Sequence, residues 1–430
     1  MFIDVNAVNS LSNGNTLSSV LSAGTLNATT FVTTDNSAIF DFVTSKNGNA
    51  LDVAIEKLVS VLDAVNNNGL KSGTGAATVF DYLIDNGGGS AEMNAVTTAL
   101  GQLATEREVA DAVESTLPGI SGGAAQMTNL VLGDVVDLVS SRQDAIRGLS
   151  SGDGFMTDKN LWLKPLGGWT KQDDRQSITG YDVDSYGLAV GIDSDVSDTW
   201  NVGVAFAYIN SDIESNLAAG SHTIDMDSYQ TKVYATNKLD NMTVLNLQAG
   251  VGRSNYDSNR RLFNSNVANA DYDSWNTQLS AELERSYQVS DKTELTPYVH
   301  ADYSYVSVES YNETGAGALS LNVGTDSADS LIIGTGVKAN HAVSDSLLLL
   351  ANAGIGYDLM TDRSSLTSGF AGGGAQFTTD GIEPDEWVYN AGVGATYSLD
   401  NGTEITAAYT VDARQDYTDQ SVSANFRMLF

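Results

Sequence analysis

Residues 185–193 read Ser-Tyr-Gly-Leu-Ala-Val-Gly-Ile-Asp, and this stretch decides the fold. Large apolar side chains occupy every second position, at Tyr186, Leu188, Val190 and Ile192, with small or polar residues between them. Because successive side chains of a strand point to opposite faces, this alternation predicts a β-strand with one apolar face and one polar face.

The same alternation recurs through the second half of the chain and predicts twelve strands. We place them at residues 161–169, 185–193, 200–209, 229–236, 242–252, 274–285, 295–305, 330–339, 346–358, 387–397, 403–412 and 421–430. Their length suits a tilted membrane span, and aromatic residues occur near their ends, as at membrane interfaces. The connections alternate between long and short, which is typical of a barrel with tight turns at one rim and loops at the other. The sequence therefore predicts an all-β transmembrane barrel of twelve antiparallel strands.

Composition excludes several classes of function. The chain has 430 residues, 54 of them acidic and 21 basic, and its net charge of −33 argues against a nucleic-acid partner, which needs a basic surface. Without Cys there is no disulfide framework, thiolate nucleophile or Cys-ligated metal. The three histidines, His222, His300 and His341, lack the spacing of metal ligands. We therefore expect no metal, no cofactor and no catalytic site.

The first 160 residues differ in composition from the rest. All 5 Trp and all but one of the 18 Tyr follow residue 160, and the Gly- and Ser-rich stretch 150–154 predicts a flexible linker. Polar and β-branched residues at the start of the chain indicate short strands, whereas the apolar spacing from Leu51 onward predicts several short helices. We expect a strand region at 1–45, a helical connector at 46–133, a helix with its linker at 134–160 and the barrel at 161–430.

The topology of the predicted barrel places a helix in its lumen. With an even number of strands, both ends of the barrel lie at the short-turn, periplasmic rim, so an N-terminal region outside the cell must connect to it through the pore. The predicted helix Asp134–Leu149 is about 24 Å long at ~1.5 Å per residue, close to the ~25 Å height of an apolar band. It carries Arg142 and Arg147, which we expect to contact the lumen wall as a pore plug; an ordinary pair of cations at a helix C-terminus is the alternative. The residues predicted to face the lumen are Lys164, Asp193, Gln248, Glu282, Glu284, Asp302 and Asp358.

Several stretches resemble the autotransporter β-domain of Gram-negative bacteria. Residues 161–169, Leu-Trp-Leu-Lys-Pro-Leu-Gly-Gly-Trp, resemble the opening strand of that family. Residues 180–193 resemble its most recognisable motif, and 200–208 continue it. The end of the chain resembles the outer-membrane insertion signal, a C-terminal aromatic residue after alternating residues, carried here by Phe426, Met428 and Phe430.

This resemblance implies a type V secretion translocator in the bacterial outer membrane, with the residues before the pore helix at the cell surface. It implies that the barrel-assembly machinery inserts the barrel among outer-membrane lipid and lipopolysaccharide, and that the barrel exports or displays its own N-terminal passenger. Residues 1–45 would be the C-terminal end of a β-helical passenger. The alternative functions are a surface adhesin anchored by the barrel and a porin-like channel with residues 1–150 in the periplasm.

The remaining motifs have ordinary interpretations. Residues 119–123 and 148–152 match Gly-x-Ser-x-Gly but lack the strand and helix that flank a nucleophile elbow. The Asp-x-Asp pairs at 182–184 and 225–227 offer too few oxygens for a dedicated calcium site. The first five residues lack the basic and apolar regions of a signal peptide, so we expect a longer precursor. The pore helix lacks the paired Asn with which some family members cleave themselves, so we expect no cleavage inside the barrel.

Overall fold

The computed structural model describes residues 1–3, 14–119, 124–146, 159–217, 220–399 and 403–429. The part before the barrel contains short strands followed by helices. The strands are β1 (Phe2–Ile3), β2 (Thr16–Ser22), β3 (Thr34–Asp35), β4 (Phe40–Asn47) and β5 (Ala50–Lys57). The helices are α1 (Val61–Asn67), α2 (Thr74–Asn86), α3 (Ala91–Gly101), α4 (Glu106–Glu114) and α5 (Ala124–Ile146).

The second half of the chain forms a closed antiparallel barrel. Its strands and the strands in its loops are β6 (Lys159–Gln172), β7 (Tyr181–Asp195), β8 (Trp200–Ser215), β9 (Ser221–Lys238), β10 (Thr243–Arg261), β11 (Val267–Arg285), β12 (Tyr287–Ser290), β13 (Thr293–Val308), β14 (Tyr311–Asn312), β15 (Leu321–Val323), β16 (Asp326–Ser344), β17 (Leu347–Asp358), β18 (Ser365–Phe370), β19 (Phe377–Asp380), β20 (Trp387–Ser398), β21 (Glu404–Arg414) and β22 (Tyr417–Leu429). Strand β22 pairs with β6 and β11 pairs with β13, so the sheet closes. The short β12 pairs only with β13, and β14, β15, β18 and β19 form a separate sheet in two loops. Among the described residues from β6 onward, the remaining twelve strands form the barrel. The predicted twelve-stranded barrel is confirmed.

Alternation along each strand distributes the side chains between the two surfaces of the barrel. In β7, Leu188, Val190 and Ile192 lie on the outer surface and are 38 to 43% exposed, whereas Asp193 faces the lumen and is 2% exposed. Corresponding residues of the other strands extend this apolar outer surface around the barrel. An outer surface of this composition is suited to contact with lipid chains.

The strands extend farther at the long-loop rim than the sequence predicts. The predicted connections 210–228 and 253–273 are largely strand, because β8 to β11 are 16 to 19 residues long. In these extensions the alternation is reversed: Ile213 and Ile224 are buried inside the barrel and the acidic residues beside them lie outside. Apolar side chains turn inward where the outer surface meets water. The long loops predicted here were wrong because the prediction followed outward-facing apolar residues alone.

The predicted helical region begins too early in the chain. Residues 51–57 belong to β5, which pairs with β4 and β2. The first helix begins after Ser60, whose hydroxyl accepts a 2.8 Å hydrogen bond from the backbone amide of Asp63. Leu51, Val53 and Ile55 are buried at alternate positions. Large apolar and β-branched residues at alternate positions favour a strand over a helix. The helix expected from Leu51 was therefore wrong over this segment.

Helices α1 to α4, which we call the cap, pack on the loops of the long-loop rim. Their buried apolar residues form one continuous cluster with β15, β18 and β19. The ring centroids of Phe80 in α2 and Phe370 in β18 are 5.1 Å apart. Gly75 allows this close approach, because a Cβ there would lie 2.6 Å from the backbone oxygen of Thr378. No helix in the described residues is long and apolar enough to cross a membrane.

Candidate functional site: the helix in the barrel lumen

Helix α5 runs through the lumen from the long-loop rim to the short-turn rim. Its 23 residues span about 35 Å, so it starts well before the predicted Asp134. Near its start, the hydroxyl of Thr128 forms a hydrogen bond with the phenol of Tyr256 in the extended part of β10. Near its end, Arg142 contacts Asp193, beside the turn between β7 and β8. The predicted end of this helix, Leu149, lies outside the described residues.

One face of α5 is apolar and lies against part of the barrel wall. Leu132, Val135 and Val139 recur at spacings of three and four residues and are buried. The wall on this side consists of β9, β10, β11, β13 and β16. A cavity of about 190 Å³ lies beside the helix, and its lining includes residues of α5 and of strands β11, β13, β16, β17, β20, β21 and β22.

Arg142 and Asp193 form an ion pair with two parallel hydrogen bonds. The Nε of Arg142 donates to Oδ2 of Asp193 and its Nη2 donates to Oδ1, both at 2.7 Å. The two side chains are 1% and 0% exposed. Paired donors of this geometry are the strongest that a carboxylate accepts. Because both groups are removed from water, the loss of either would leave a buried charge without its partner.

Side chains of the barrel wall hold Asp193 in position. The hydroxyl of Tyr234 donates to Oδ2 at 2.9 Å, and Nδ2 of Asn160 donates to Oδ1 at 3.1 Å. The indole nitrogen of Trp162 donates to the Tyr234 hydroxyl at 2.8 Å. The ring of Tyr234 lies over Gly203, where a Cβ would be 2.2 Å from its Cζ. The carboxylate therefore has wall contacts of its own besides those with Arg142.

A second group of charges joins α5 to β11 and β16. The Nζ of Lys338 lies 2.7 Å from Asp144, 2.7 Å from Glu282 and 3.1 Å from Glu284. The amide of Asn246 donates to Glu284 at 3.1 Å. The three carboxylates approach one another closely enough to hold a metal ion, with ligand atoms within 4.8 Å. The ammonium group of Lys338 already contacts all three, so the protein supplies its own cation here.

Two further lumen residues contact the same end of the helix. The amide nitrogen of Gln248 donates to the Ser140 hydroxyl at 2.8 Å and to Oε1 of Gln143 at 3.0 Å. The ammonium of Lys164 donates to the Ser141 hydroxyl at 2.6 Å. Contacts from β6, β7, β10, β11 and β16 therefore surround the C-terminal part of α5.

The other predicted lumen residues lie apart from these contacts. Asp302 in β13 pairs with His300 on the same strand. Asp358 in β17 accepts hydrogen bonds from Arg414 at 3.0 Å and from Ser330 at 2.8 Å. Both aspartates line the cavity beside α5.

The predicted insertion signal and the second plug arginine are described only in part. Phe426 lies on the outer surface of β22 and is 43% exposed, and Met428 belongs to the same strand. Phe430 and Arg147 lie outside the described residues. The roles assigned to these residues stay predictions.

Sequence reasoning missed Asp144, Lys338, Trp162 and Tyr234. A charge search would have found the first two, because Asp144 lies in the predicted pore helix and Lys338 lies in a predicted strand. The aromatic pair depends on cross-strand register, which brings each ring over a glycine of a neighbouring strand. The sequence carries no local signal for that register.

A buried ion pair also fixes the cap to the long-loop rim. Arg260 at the end of β10 is fully buried, pairs with Glu313 and donates to the backbone oxygen of Ser115 at 3.0 Å. The neighbouring Glu114, at the end of α4, accepts a hydrogen bond from Thr179. Burial raises the pKa of the Glu114 carboxyl above its ordinary value. The cap is therefore held by charge as well as by its apolar cluster.

Comparison with known proteins identifies the family. Residues 161–410 match the sequence model of the family described as the autotransporter beta-domain. The chain belongs to the autotransporter family. Esterase EstA of Pseudomonas aeruginosa is 23% identical over 258 residues, which are 58% of this chain and 40% of that protein. Outer membrane protein B of Rickettsia prowazekii is 21% identical over 438 aligned residues, covering 95% of this chain and 26% of that protein.

Among solved structures, the translocator domain of the autotransporter NalP from Neisseria meningitidis has the same fold. The TM-score is 0.55 at 18% sequence identity, and the match covers 70% of this chain and 98% of the NalP domain. The autotransporter barrel is located in the outer membrane and serves as a translocator for passenger export. The predicted family, the outer-membrane location of the barrel and its translocator function are confirmed. The chain spans 40% or less of the length of the two curated relatives.

Proposed function

We propose that the barrel exports the N-terminal part of its own chain and that α5 then remains in the lumen as its closure. The observation that supports this proposal is the pair of Arg142 and Asp193, which is buried and has two hydrogen bonds of 2.7 Å. Tyr234 and Asn160 orient the carboxylate toward one position of the helix. Contacts this specific support a fixed position for the helix in the lumen.

Conductance across planar bilayers tests the closure. The full chain should conduct little, and a variant lacking α5 should conduct several times more, because the lumen then holds no helix. Removing residues 14–57 instead is the matched control, since it shortens the chain without touching the lumen and should leave the conductance unchanged. A large conductance in the full chain would contradict the closure.

We also propose that the residues before α5 lie at the cell surface. The cap packs on the long-loop rim, whereas β6 begins and β22 ends at the short-turn rim. A protease site inserted between Gly87 and Gly88, in the exposed turn after α2, should be cleaved by protease added to intact cells. The same site inserted at Asp198, in the turn between β7 and β8, should be protected. Protection of the first site or cleavage of the second would overturn this orientation.

Any enzymatic activity would, in this proposal, belong to the passenger and not to the barrel. Relatives carry the names esterase and, in Serratia marcescens, extracellular serine protease, and they extend well beyond the part that this chain covers. The three histidines of the barrel have structural contacts: His222 with the Ser115 carbonyl, His300 with Asp302 and His341 with the Thr293 hydroxyl. The purified chain should hydrolyse neither a nitrophenyl ester nor a peptide substrate; activity that survives removal of residues 1–117 would place a catalyst in the barrel.

Lipopolysaccharide is the partner that we propose for the outer surface at the long-loop rim. Five exposed aspartates lie directly opposite one another on consecutive strands β7 to β11: Asp184, Asp212, Asp225, Asp257 and Asp271. Four positions nearer to the short-turn rim, these strands carry Tyr208, Tyr229 and Trp275, about 13 Å away along the strands. Like charges directly opposite each other are destabilising. Divalent cations shared with lipid phosphates would offset that repulsion.

Insertion by the barrel-assembly machinery is proposed from the C-terminal residues alone. Phe426, Met428 and Phe430 occupy alternate positions in the sequence. Phe430→Ala should lower the fraction of barrel that shows heat-modifiable gel mobility in isolated outer membranes. Phe263→Ala, a change in a rim loop, is the control. Equal assembly of both variants would contradict the role of the C-terminal aromatic residue.

A further inference from the structure

The cavity beside α5 is strongly acidic. It lies between the helix and a wall that includes β13, β16, β17, β20, β21 and β22. Its lining contains eight aspartates and two arginines, together with His300. The arginines form ion pairs within this lining, Arg414 with Asp358 at 3.0 Å and Arg175 with Asp385 at 3.3 Å. The lining therefore has a clear excess of negative charge.

Three of the carboxylates are divided between the two sides of the cavity. Asp137 belongs to α5, and Asp412 and Asp419 belong to the opposite wall, where the two are directly opposite each other on β21 and β22. All three carboxylates line the same cavity. Negative charge is therefore present on both the helix and the wall.

Neutral groups in the same lining also present oxygen atoms. Gln278 is 4% exposed, and its Nε2 donates to the backbone oxygen of Leu132 at 2.7 Å. That bond fixes the amide orientation and leaves Oε1 buried without a hydrogen-bond partner among the described residues. The side-chain oxygens of Asn129 and Asn390, which line the same cavity, are in the same state. Buried acceptors of this kind are satisfied by water or by a cation, and an anion cannot serve them.

We propose that the space beside α5 is a cation-selective ion path, so that the barrel conducts small cations in preference to anions while its helix is in place. Acidic clefts with walls of low dielectric constant concentrate cations, and rings of Asp or Glu select them in channels. A local potential of about one kT already changes the ratio of cation to anion concentration roughly sevenfold. The proposal rests on α5 remaining in the lumen.

The reversal potential of the full chain in planar bilayers under a tenfold KCl gradient tests this path. We expect a permeability ratio of K⁺ to Cl⁻ of about seven or more. Asp137→Asn combined with Asp412→Asn and Asp419→Asn should lower that ratio at least by half. The matched control removes the same number of charges from three exposed short turns with Asp198→Asn, Asp291→Asn and Asp345→Asn, and should leave the ratio unchanged.

A ratio near one, a preference for Cl⁻, an equal loss in the control, or no current through the full chain would each overturn the proposal. Should the lumen variant fail to assemble, salt serves the same purpose in the unmodified chain. Raising KCl from about 0.1 M to 1 M shortens the Debye length from ~10 Å to ~3 Å and should lower the ratio; a constant ratio would overturn the path. Deletion of α5 distinguishes the two proposals. If the deletion raises the conductance but the full chain shows no cation selectivity, the closure by α5 is supported and the selective path is overturned.

Discussion

Replacing Arg142 by Ala removes one side of the buried ion pair that anchors α5. Asp193 would keep its hydrogen bonds from Tyr234 and Asn160, but its carboxylate, 0% exposed, would lose its cation. Breaking a buried pair from one side costs about 3–5 kcal/mol. Because two hydrogen bonds to Asp193 remain, we expect the lower end, about 3 kcal/mol. Since about 1.4 kcal/mol is a factor of ten, the docked helix end should lose roughly a hundredfold in population relative to the undocked one.

Single-channel recording measures this shift as the ratio of time spent in high- and low-conductance states. Arg142→Ala should raise that ratio roughly a hundredfold. Arg285→Ala is the matched control, because Arg285 is 41% exposed at a short turn and contacts Asp240 at 3.5 Å; it should leave the ratio unchanged.

The companion variants separate the effect of charge from the effect of shape. Asp193→Asn alone should also open the lumen, since it leaves the Arg142 guanidinium buried without its carboxylate. Combining it with Arg142→Ala should cost less than the sum of the two single changes, because no uncompensated charge remains. A recording of Arg142→Ala like that of the unmodified chain, or strict additivity in the double variant, would refute the reasoning.

Three further predictions concern the wall, the cap and the outer surface. Gly203→Ala should displace Tyr234 and destabilise the barrel by about 1–3 kcal/mol, which lowers the transition temperature followed by circular dichroism. Gly167→Ala, where a Cβ would lie 3.7 Å from the nearest atom, should leave that temperature unchanged. Equal transition temperatures in the two variants would contradict the packing role of Gly203. Because the pKa of Glu114 is raised in the docked cap, docking is strongest at low pH and weakens as pH rises above the ordinary value of 4.5. In the unmodified chain, the protease resistance of the cap should therefore fall between about pH 5 and 8, and Glu114→Gln should remove this fall. An unaltered pH dependence in the variant would count against the role of Glu114. In lipopolysaccharide vesicles, removal of Mg²⁺ should lower the thermal midpoint less when Asp212→Asn and Asp257→Asn are both present; the same loss as in the unmodified chain would argue against bridging cations.

The barrel is predictable from the sequence because one physical rule repeats in every strand. Period two in residues 185–193 is enough to define a strand and to say which face meets lipid. It does not give strand length. Beyond the membrane the solvent changes from lipid to water, Ile213 and Ile224 turn inward, and the outward apolar signal ends although the strand continues. The outward apolar pattern therefore predicts the membrane-spanning part of a strand but not where the strand ends.

The lumen contacts are predictable only as a set of residue types. A helix with Arg142 beside an acidic lumen indicates an ion pair, but the sequence offers several acidic partners. Selection of Asp193 depends on the rotation of α5 and on the aromatic rings of Trp162 and Tyr234. Those rings find room only because register places Gly203 and its counterpart Gly191 under them. Register and helix rotation follow from the packing of the whole barrel and not from any local pattern.

Cross-linking in intact outer membranes tests most directly that α5 rests in the lumen with its C-terminal end at the short-turn rim. The chain contains no Cys, so an introduced pair is unambiguous. Ser140→Cys with Gln248→Cys should be joined by a short thiol-specific cross-linker that replaces the length lost from the Gln side chain, because the Ser140 hydroxyl and the Gln248 amide nitrogen are 2.8 Å apart. Ser140→Cys with Ser330→Cys, a lumen residue near the other rim, should not. A cross-link in the second pair together with none in the first would contradict the account.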